Sequence, residues 1–411
     1  MSRTLLWSLI AAAFIGPGTV TTAARAGSEG GYRYLLFVVL VAAAGFLLME
    51  MVARLTLVTN RSFGQVLGRR GRWLGYFFFG AVLLGCMAYQ SGNLLGALAG
   101  VDLVIPRRRE WVLAVAGMAA LVLWPGESRK IARALAVVVA LMGVVFVAVA
   151  IGLVVGDEPL DGRGQLTTAT VVGLVGTTIV PYNFFLAAGL GRGERLVDMR
   201  RGLLVSFAVG ALITGGIVLV GSLTAEFDKF TDLARTLDAR LWDKGAVLLG
   251  IGLFAAGFSS AVTAPLAAGV AARELLGRGK DDAFGPRSIA FRLVWLLVLA
   301  AGTLVALTGL DVITVILAAQ IANGILVPFV AAMVLMLAND RGLLGERINA
   351  AWQNLAGLLV ASVLAQKNAE LLYNLAGGEG ASFSYAVAAV YVLLVGYGMY
   401  TIRRRSATDV K

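Results

Sequence analysis

The chain has 411 residues, of which 59% are hydrophobic and 14% are charged, and its mean hydropathy is +0.85. Soluble domains usually carry about 45–50% apolar and about 25% charged residues, so this composition excludes a soluble globular protein, a disordered chain and a coiled coil. The chain has no histidine, the commonest metal ligand, and its single cysteine, Cys86, excludes an intramolecular disulfide and any thiolate metal cluster.

Apolar segments recur from end to end, and most exceed the roughly 18 residues needed to cross about 30 Å of hydrocarbon. They predict an all-α polytopic membrane protein with about 12 transmembrane helices in one integral domain. We number them segments 1 to 12 in chain order: 5–26, 34–57, 73–99, 111–125, 130–155, 166–191, 202–224, 245–275, 289–309, 311–338, 349–373 and 382–402.

Basic residues are concentrated in alternate connections between these segments, and the net charge is +11. This is the bias of cytoplasmic loops, so it predicts a multi-pass protein of the cell (inner or plasma) membrane with both termini in the cytoplasm. The surplus charge therefore indicates a lipid bilayer and not a nucleic-acid partner. Residues 107–109, three arginines, fall on the outer side and violate the rule. A signal peptide at 1–26 is disfavoured, because Gly-Pro-Gly interrupts the apolar run.

Two segments contain helix-breaking residues, Gly16-Pro17-Gly18 in segment 1 and Pro181 in segment 6. Proline removes a backbone donor, and unwound backbone within a bilayer is tolerated only where it lines a cavity or is buried in protein. Breaks five segments apart match the LeuT-like inverted-repeat (5+5) plan, in which they form the substrate site. The repeats would cover 1–155 and 166–338, with two additional helices at 349–402. Two ordinary proline kinks remain the alternative.

At these breaks the chain resembles the Nramp family of proton-coupled divalent-metal transporters, which has Asp-Pro-Gly-Asn in helix 1 and Met-Pro-His-Asn in helix 6. The present sequence has Gly-Pro-Gly-Thr at 16–19 and Val-Pro-Tyr-Asn at 180–183. Three further stretches agree: Ala-Arg-Leu-Thr-Leu-Val-Thr at 53–59, Ser-Ser-Ala-Val-Thr at 259–263, and Gln320. The resemblance extends over residues 5–345 and implies the fold.

The resemblance also implies where substrate would bind: Gly16, Thr19, Thr177, Val180, Tyr182, Asn183 and Gln320. However, Gly16, Thr19 and Val180 replace the family's aspartate, asparagine and methionine ligands, so the metal ligands are unknown. Thr177 stands where the family offers a backbone carbonyl. Tyr182 and Ala187 replace the helix 6 histidines.

Acidic side chains are scarce in the apolar segments: Glu50 lies well inside one and Asp311 at the start of another. Glu50 could pair with Arg54 one helical turn away, or it could carry a proton or ion. On the family's helix 3 proton path, Gln90 and Asn93 stand where its acids would align. Glu50, Gln90 and Asn93 together form a candidate proton or ion path.

Neutral oxygens at the breaks favour a monovalent or partly hydrated ion over a dry transition metal, because a divalent cation leaving water normally needs anionic ligands. Free N–H groups at broken helix ends would instead suit an anionic group. Hydroxyls such as that of Thr21 could also bond their own helix. Ser259, Ser260 and Thr263 are expected to connect helices, and Gly75 and Gly80 to permit close helix packing.

We therefore predict an Nramp-like secondary transporter that moves a small inorganic ion, by resemblance a divalent metal cation, through alternating access. Transport of a neutral or anionic organic solute, and ligand sensing without flux, are the alternatives. The chain has no nucleotide-binding loop and no histidine or cysteine constellation, so neither an enzyme nor a cofactor is expected. A monomer is favoured, while the oligomeric state, the coupling ion and the direction of transport stay open.

Overall fold

The computed structural model describes residues 15–105, 110–124, 129–156, 164–190, 195–277, 284–378 and 381–408. These residues form helices and connections and include no strand. We label the long helices by their segment, with two helices in segment 6: α1 Pro17–Gly30, α2 Tyr34–Thr59, α3 Arg72–Asp102, α4 Trp111–Leu123, α5 Arg129–Val155, α6a Thr168–Thr178, α6b Pro181–Leu190, α7 Leu196–Gly221, α8 Gly245–Leu276, α9 Ile289–Leu307, α10 Val312–Leu337, α11 Ala351–Leu375 and α12 Ser382–Thr408.

The helices confirm the predicted order of membrane segments. Ten described stretches are long and apolar enough to cross a membrane, and the first of them, Pro17–Thr59, contains both α1 and α2. The apolar helix α4 has 13 residues and is shorter than a full span. The protein is therefore a multi-pass membrane protein. Residues 1–14, which hold the first half of segment 1, and residues 107–109, which violate the charge rule, lie outside the described residues.

Short amphipathic helices lie in the polar connections. Phe63–Arg70 joins α2 to α3, and Phe230–Asp238 joins α7 to α8. The first begins with a capping box, in which Ser62 Oγ accepts from the N–H of Gln65 at 3.2 Å and Gln65 Oε1 accepts from the N–H of Ser62 at 3.1 Å. These reciprocal bonds satisfy two backbone donors at the helix start, where the chain leaves the apolar segment.

The packing partners of the helices repeat between the first five segments and the next five. Helix α8 packs along α3, which joins the two halves. The contact of α5 with α8 corresponds to that of α10 with α3, and the contact of α4 with α8 corresponds to that of α9 with α3. Likewise α1 packs on α7 as α6a packs on α2. This exchange of partners is the pattern of a 5+5 inverted repeat.

Glycines permit the closest of these helix contacts, because a side chain there would meet backbone atoms of the neighbouring helix. A Cβ on Gly257 of α8 would lie 2.5 Å from the backbone nitrogen of Ala97 of α3. The expectation for Gly75 is confirmed, since a Cβ added at this position would lie 3.0 Å from the carbonyl oxygen of Leu275. The expectation for Gly80 is wrong: a Cβ there meets nothing within 4 Å.

Candidate functional site

The break in segment 6 removes a hydrogen-bond donor that a continuous helix would supply. Helix α6a ends at Thr178, Ile179 and Val180 are not helical, and α6b begins at Pro181. In a continuous helix the carbonyl of Thr177 would accept from the N–H of residue 181, and proline has none. The carbonyl of Thr177 therefore lies at the break without that donor.

Only one side of the break in segment 1 is described, because α1 begins at Pro17. Gly16 precedes it in an extended conformation, with φ −109° and ψ 178°. The carbonyl of Gly16 accepts from the N–H of Thr19 at 3.0 Å and so starts the helix. A Cβ on Gly16 would lie 3.3 Å from Ser260 Oγ, so α8 lines this side of the break.

The two breaks meet through their polar side chains. Thr19 Oγ1 and Thr177 Oγ1 are 2.9 Å apart, although 158 residues separate them in the chain. The side chain of Gln320, from α10, packs so closely on Gly18 that a Cβ there would overlap its amide. Thr19 and Thr177 are each 3% exposed and Gln320 is 2% exposed. The structure thus brings three of the predicted positions into one buried polar cluster.

The other predicted positions on segment 6 lie on a more apolar part of the break. Val180 and Tyr182 belong to a large cluster of buried hydrophobic residues, and Asn183 is buried beside them. The Tyr182 ring packs edge-on against Tyr89 of α3, with centroids 5.7 Å apart. Val180 therefore contributes apolar packing and offers no sulfur at the position of the family's methionine.

Two buried amide side chains, Gln90 and Asn93, belong to α3, and Gln90 faces α8 and α9. Gln90 Nε2 donates to the carbonyl of Ala261 at 3.1 Å, and a Cβ on Gly302 of α9 would overlap the Gln90 side chain. Within the described residues, Gln90 Oε1 and Asn93 Nδ2 have no hydrogen-bond partner. The packing of α3 thus keeps two amides inside the bundle, and amides cannot titrate.

Glu50 lies in an ion-pair cluster that joins three parts of the fold. Its carboxylate is 3.4 Å from Arg54 on its own helix, as the spacing predicts, and accepts from Arg200 of α7 at 2.8 and 2.9 Å. Arg54 also donates to the carbonyl of Arg347, at 2.8 Å, and to the side chain of Asn349. With two guanidinium partners, Glu50 has a structural role in this conformation.

The hydroxyls of Thr263 and Thr21 do not take the roles expected of them, which were to connect helices and to bond their own helix. Thr263 Oγ1 donates to the carbonyl of Ser259 at 2.8 Å, which satisfies it within α8. Thr21 and Thr22 of α1 are fully buried, and within the described residues their hydroxyls have no hydrogen-bond partner. These two side chains add polar surface beside the cluster without a satisfied structural role.

Sequence reasoning missed one residue at the cluster and two acidic residues. Tyr89 contacts both Gln320 and the end of α6a, but a tyrosine in an apolar helix gives no sequence signal by itself. Glu274 in α8 is 3% exposed, and Glu370 in α11 accepts from the hydroxyl of Thr168 at 2.6 Å. Asp311, which the sequence analysis did name, caps α10 and accepts from the N–H of Thr314 at 2.8 Å.

The oxygen atoms that could bind a cation where the two broken segments meet carry no formal charge. No group of three or more histidine, cysteine, aspartate or glutamate side chains that could hold a metal ion occurs among the described residues. The available ligands are hydroxyl, amide and backbone carbonyl oxygens, which suit hard cations.

The sequence pattern of the family described as natural resistance-associated macrophage protein-like (Nramp) matches residues 8–374. The chain belongs to the Nramp family. It is 25% identical to the divalent metal cation transporter MntH 1 of Pseudomonas aeruginosa over 89% of this chain and 90% of that protein. The divalent metal cation transporter MntH of Deinococcus radiodurans is 24% identical over 89% of this chain and 88% of its own length.

Solved structures agree with the fold. A manganese transporter of Eremococcus coleocola aligns with a TM-score of 0.73 at 18% identity, covering all of this chain and 94% of its own. A nucleobase-cation-symport-1 family transporter aligns with a TM-score of 0.59 at 15% identity, covering 98% and 93% of the two chains. The Nramp-like, LeuT-like architecture predicted from the two breaks is confirmed.

Removing the Glu50 carboxylate tests its structural role. Glu50→Ala leaves Arg54, 3% exposed, without its buried anionic partner, and breaking a buried pair in this way costs about 3–5 kcal/mol. We expect a clear fall in the unfolding temperature in detergent. Asp198→Ala is the matched control, because it removes the exposed ion pair with Arg195, which water screens. Equal unfolding temperatures for the two variants would contradict this role.

Proposed function

We propose that the protein is a secondary transporter that carries a divalent metal cation across the cell membrane by alternating access. The observation that carries the proposal is the 2.9 Å contact of Thr19 with Thr177, which joins the two broken segments in a buried polar cluster. Unwound backbone inside a bilayer is tolerated only where it lines a cavity or is buried in protein. Curated relatives named as divalent metal cation transporters support the class of substrate.

The ligand chemistry favours a hard cation that keeps part of its water shell. Hydroxyl and carbonyl oxygens carry no formal charge, so they offset only part of the cost of dehydrating a divalent ion. Mg²⁺ dehydrates reluctantly and is usually bound through several of its own waters. Soft metals gain nothing from Val180, because they are selected by sulfur ligands. We therefore propose Mg²⁺, and ions of similar hardness, as substrates.

The moving parts in this proposal are the two repeats, 1–155 and 166–338, with 349–402 as an additional pair of helices. The exchange of packing partners between α1–α5 and α6–α10 supports this division. Arginines in alternate connections support cytoplasmic termini. We propose that a single chain is sufficient for transport, because both breaks and Gln320 come from the same chain.

Uptake into vesicles containing the purified protein tests the proposed function. We expect saturable uptake of Mg²⁺. Mn²⁺ and Cd²⁺ should bind weakly or not at all, because the site offers only neutral oxygen ligands and no sulfur ligand. Thr19→Val with Thr177→Val should abolish uptake by removing both hydroxyls. Thr214→Val is the matched control, since the Thr214 hydroxyl bonds its own helix at the carbonyl of Gly210, 2.8 Å away.

Two results would count against the proposal. One is equal Mg²⁺ uptake by the double variant and the control, which would place the ion elsewhere. The other is affinity for Mn²⁺ tighter than about 10 µM in titration calorimetry, a well-formed site of about 7 kcal/mol, which would contradict the choice of Mg²⁺ as substrate but not the transport of a divalent metal.

A second expectation is that transport proceeds without stoichiometric proton movement along α3. Gln90 and Asn93 cannot exchange protons, and no histidine exists to relay them. A pH dye inside the same vesicles should record no acidification beyond the empty-vesicle leak. Acidification in proportion to uptake would contradict this expectation. Glu50→Gln, Glu274→Gln and Glu370→Gln would then identify the carrier among the buried acids.

Restoring the family's side chains should change the ion that is bound. Gly16→Asp with Thr19→Asn and Val180→Met supplies an anionic and a thioether ligand, so we expect measurable Cd²⁺ and Mn²⁺ binding. The buried aspartate should lower thermal stability until metal is added. The matched control carries Gly16→Asn, which keeps the shape and removes the charge. A folded triple variant without metal-dependent stabilisation would show that these positions do not face one ion.

A further inference from the structure

Helix α3 is longer than the hydrocarbon layer that it crosses. Its 31 residues, Arg72–Asp102, extend over about 46 Å at 1.5 Å per residue, whereas the layer is about 30 Å thick. At the average tilt of about 20°, at least one end of α3 therefore projects into the headgroup region. Basic residues mark the start of the helix as such an end, because Arg72 is its first residue and Arg69 and Arg70 directly precede it.

Two of these arginines are available to bind an anion. Arg70 contacts the carboxylate of Asp340 and thereby ties the start of α3 to the connection between α10 and α11. Arg69 and Arg72 are exposed, and none of the ion pairs within the described residues includes either of them. The exposed Arg341 follows Asp340 in the chain, so the same contact brings a further positive charge to the start of α3.

An aromatic face leads from these arginines along α3 into the bilayer. Trp73, Tyr76 and Phe77 share one side of the helix, and they are 85%, 52% and 55% exposed. The Trp73 and Tyr76 rings meet edge-on with centroids 6.2 Å apart, and Phe77 meets Phe329 of α10 in the same way at 6.2 Å. Phe329 is also exposed. The face therefore spans α3 and α10, with its tryptophan and tyrosine at the headgroup level that these side chains prefer.

A notch follows the aromatic residues on the same side of α3. A Cβ added to Gly80 meets nothing within 4 Å, so close helix packing does not account for this glycine. Phe77 lies about one turn before it and the exposed Leu84 about one turn after it. Gly80 is about 12 Å from Arg72 along the helix axis, at the depth of acyl chains when Arg72 is at the headgroups. The surface thus has positive charge at one end and an apolar recess at the other.

We propose that one phospholipid with an anionic headgroup binds on the surface formed by Arg69, Arg72, Trp73, Phe77, Gly80 and Phe329. The lipid phosphate pairs with Arg69 and Arg72, since a guanidinium group matches the geometry of a phosphate. An acyl chain follows the aromatic face and enters the notch at Gly80. A zwitterionic headgroup would bring an ammonium group towards the arginines, whereas an anionic headgroup gains from them. The inference does not depend on which ion the protein carries.

Thermal unfolding of the purified protein in neutral detergent, with phosphatidylglycerol or phosphatidylcholine added, tests the inference. A ligand that binds the folded state raises the unfolding temperature as its concentration rises. We expect phosphatidylglycerol to do so saturably and at lower concentration than phosphatidylcholine. Arg69→Gln with Arg72→Gln should weaken phosphatidylglycerol binding about thirtyfold, from the usual contribution of two basic residues beside an anionic lipid.

The matched control for charge is Arg201→Gln with Arg287→Gln. It removes two exposed arginines near the starts of α7 and α9, on the same predicted side of the membrane. This variant should bind phosphatidylglycerol as the unmodified protein does. Equal losses in the two double variants would indicate general attraction to the basic side of the protein, and would overturn the proposed surface.

Gly80→Leu provides a second test that leaves the charge unchanged. The new side chain has room in the fold and replaces a residue of low helix propensity, so the unfolding temperature without lipid should not fall. Because leucine fills the notch, phosphatidylglycerol should bind about tenfold more weakly, as when about two methylene groups lose their contacts. Gly152→Leu of α5 is the matched control, since a Cβ there also meets nothing within 4 Å. It should keep the affinity.

Three further results would overturn the inference. The first is unchanged phosphatidylglycerol binding in the folded Arg69→Gln, Arg72→Gln variant. The second is unchanged binding in Gly80→Leu, which decides the matter even if the arginine variant does not fold. The third is equal stabilisation by glycerol 3-phosphate at the same concentration, because that molecule has the anionic group but no acyl chain.

Discussion

The hydrogen-bonding demand of backbone inside a bilayer is the constraint on which the rest of the structure depends. A helix satisfies its own carbonyls, whereas a break leaves some of them to be satisfied by other groups. Here Pro181 removes the donor for the carbonyl of Thr177, and Tyr89 bonds the carbonyl of Gly176 from another helix. Tyr89 of α3 thus supplies a polar partner to the backbone at the break, and it also contacts Gln320 of the candidate site.

The neutrality of that set limits what the protein can bind. A carboxylate at position 16 would offset much of the dehydration cost of a divalent ion, but Gly16 offers only backbone. The cluster therefore has to rely on several weak oxygen ligands at the right spacing, and on water that the ion brings with it. Glu50, the acid that the apolar segments made most conspicuous, is instead held between Arg54 and Arg200.

Sequence patterns predicted the order of the helices and the two breaks, because apolar length and proline act locally. The ion pair of Glu50 with Arg54 followed from helical spacing, whereas Arg200 did not, since it comes from α7. Tyr89 was missed because its role depends on side chains far away in sequence. A signal existed in α3, because Tyr89 lies at helical spacing among Gly85, Gly92 and Gly96, the positions at which neighbouring helices come close. Gly80 shows the limit of that signal, since it lies on another face and contacts no neighbour.

The uncharged amides on α3 and the uncharged candidate site are consistent with the same energy source for transport. A transporter without titratable groups on its path needs another driving force, and the membrane potential acts on the cation directly. For a doubly charged ion this amounts to about 4.6 kcal/mol per 100 mV, twice the value for one elementary charge. At about 1.4 kcal/mol per tenfold ratio, that energy can sustain a gradient of roughly 2,000-fold. A neutral site carries the full charge of the ion across the field, whereas an aspartate that moves with the ion would cancel part of it. In the proposed function, an uncharged site and amides on α3 therefore favour the same mode, transport driven by the membrane potential.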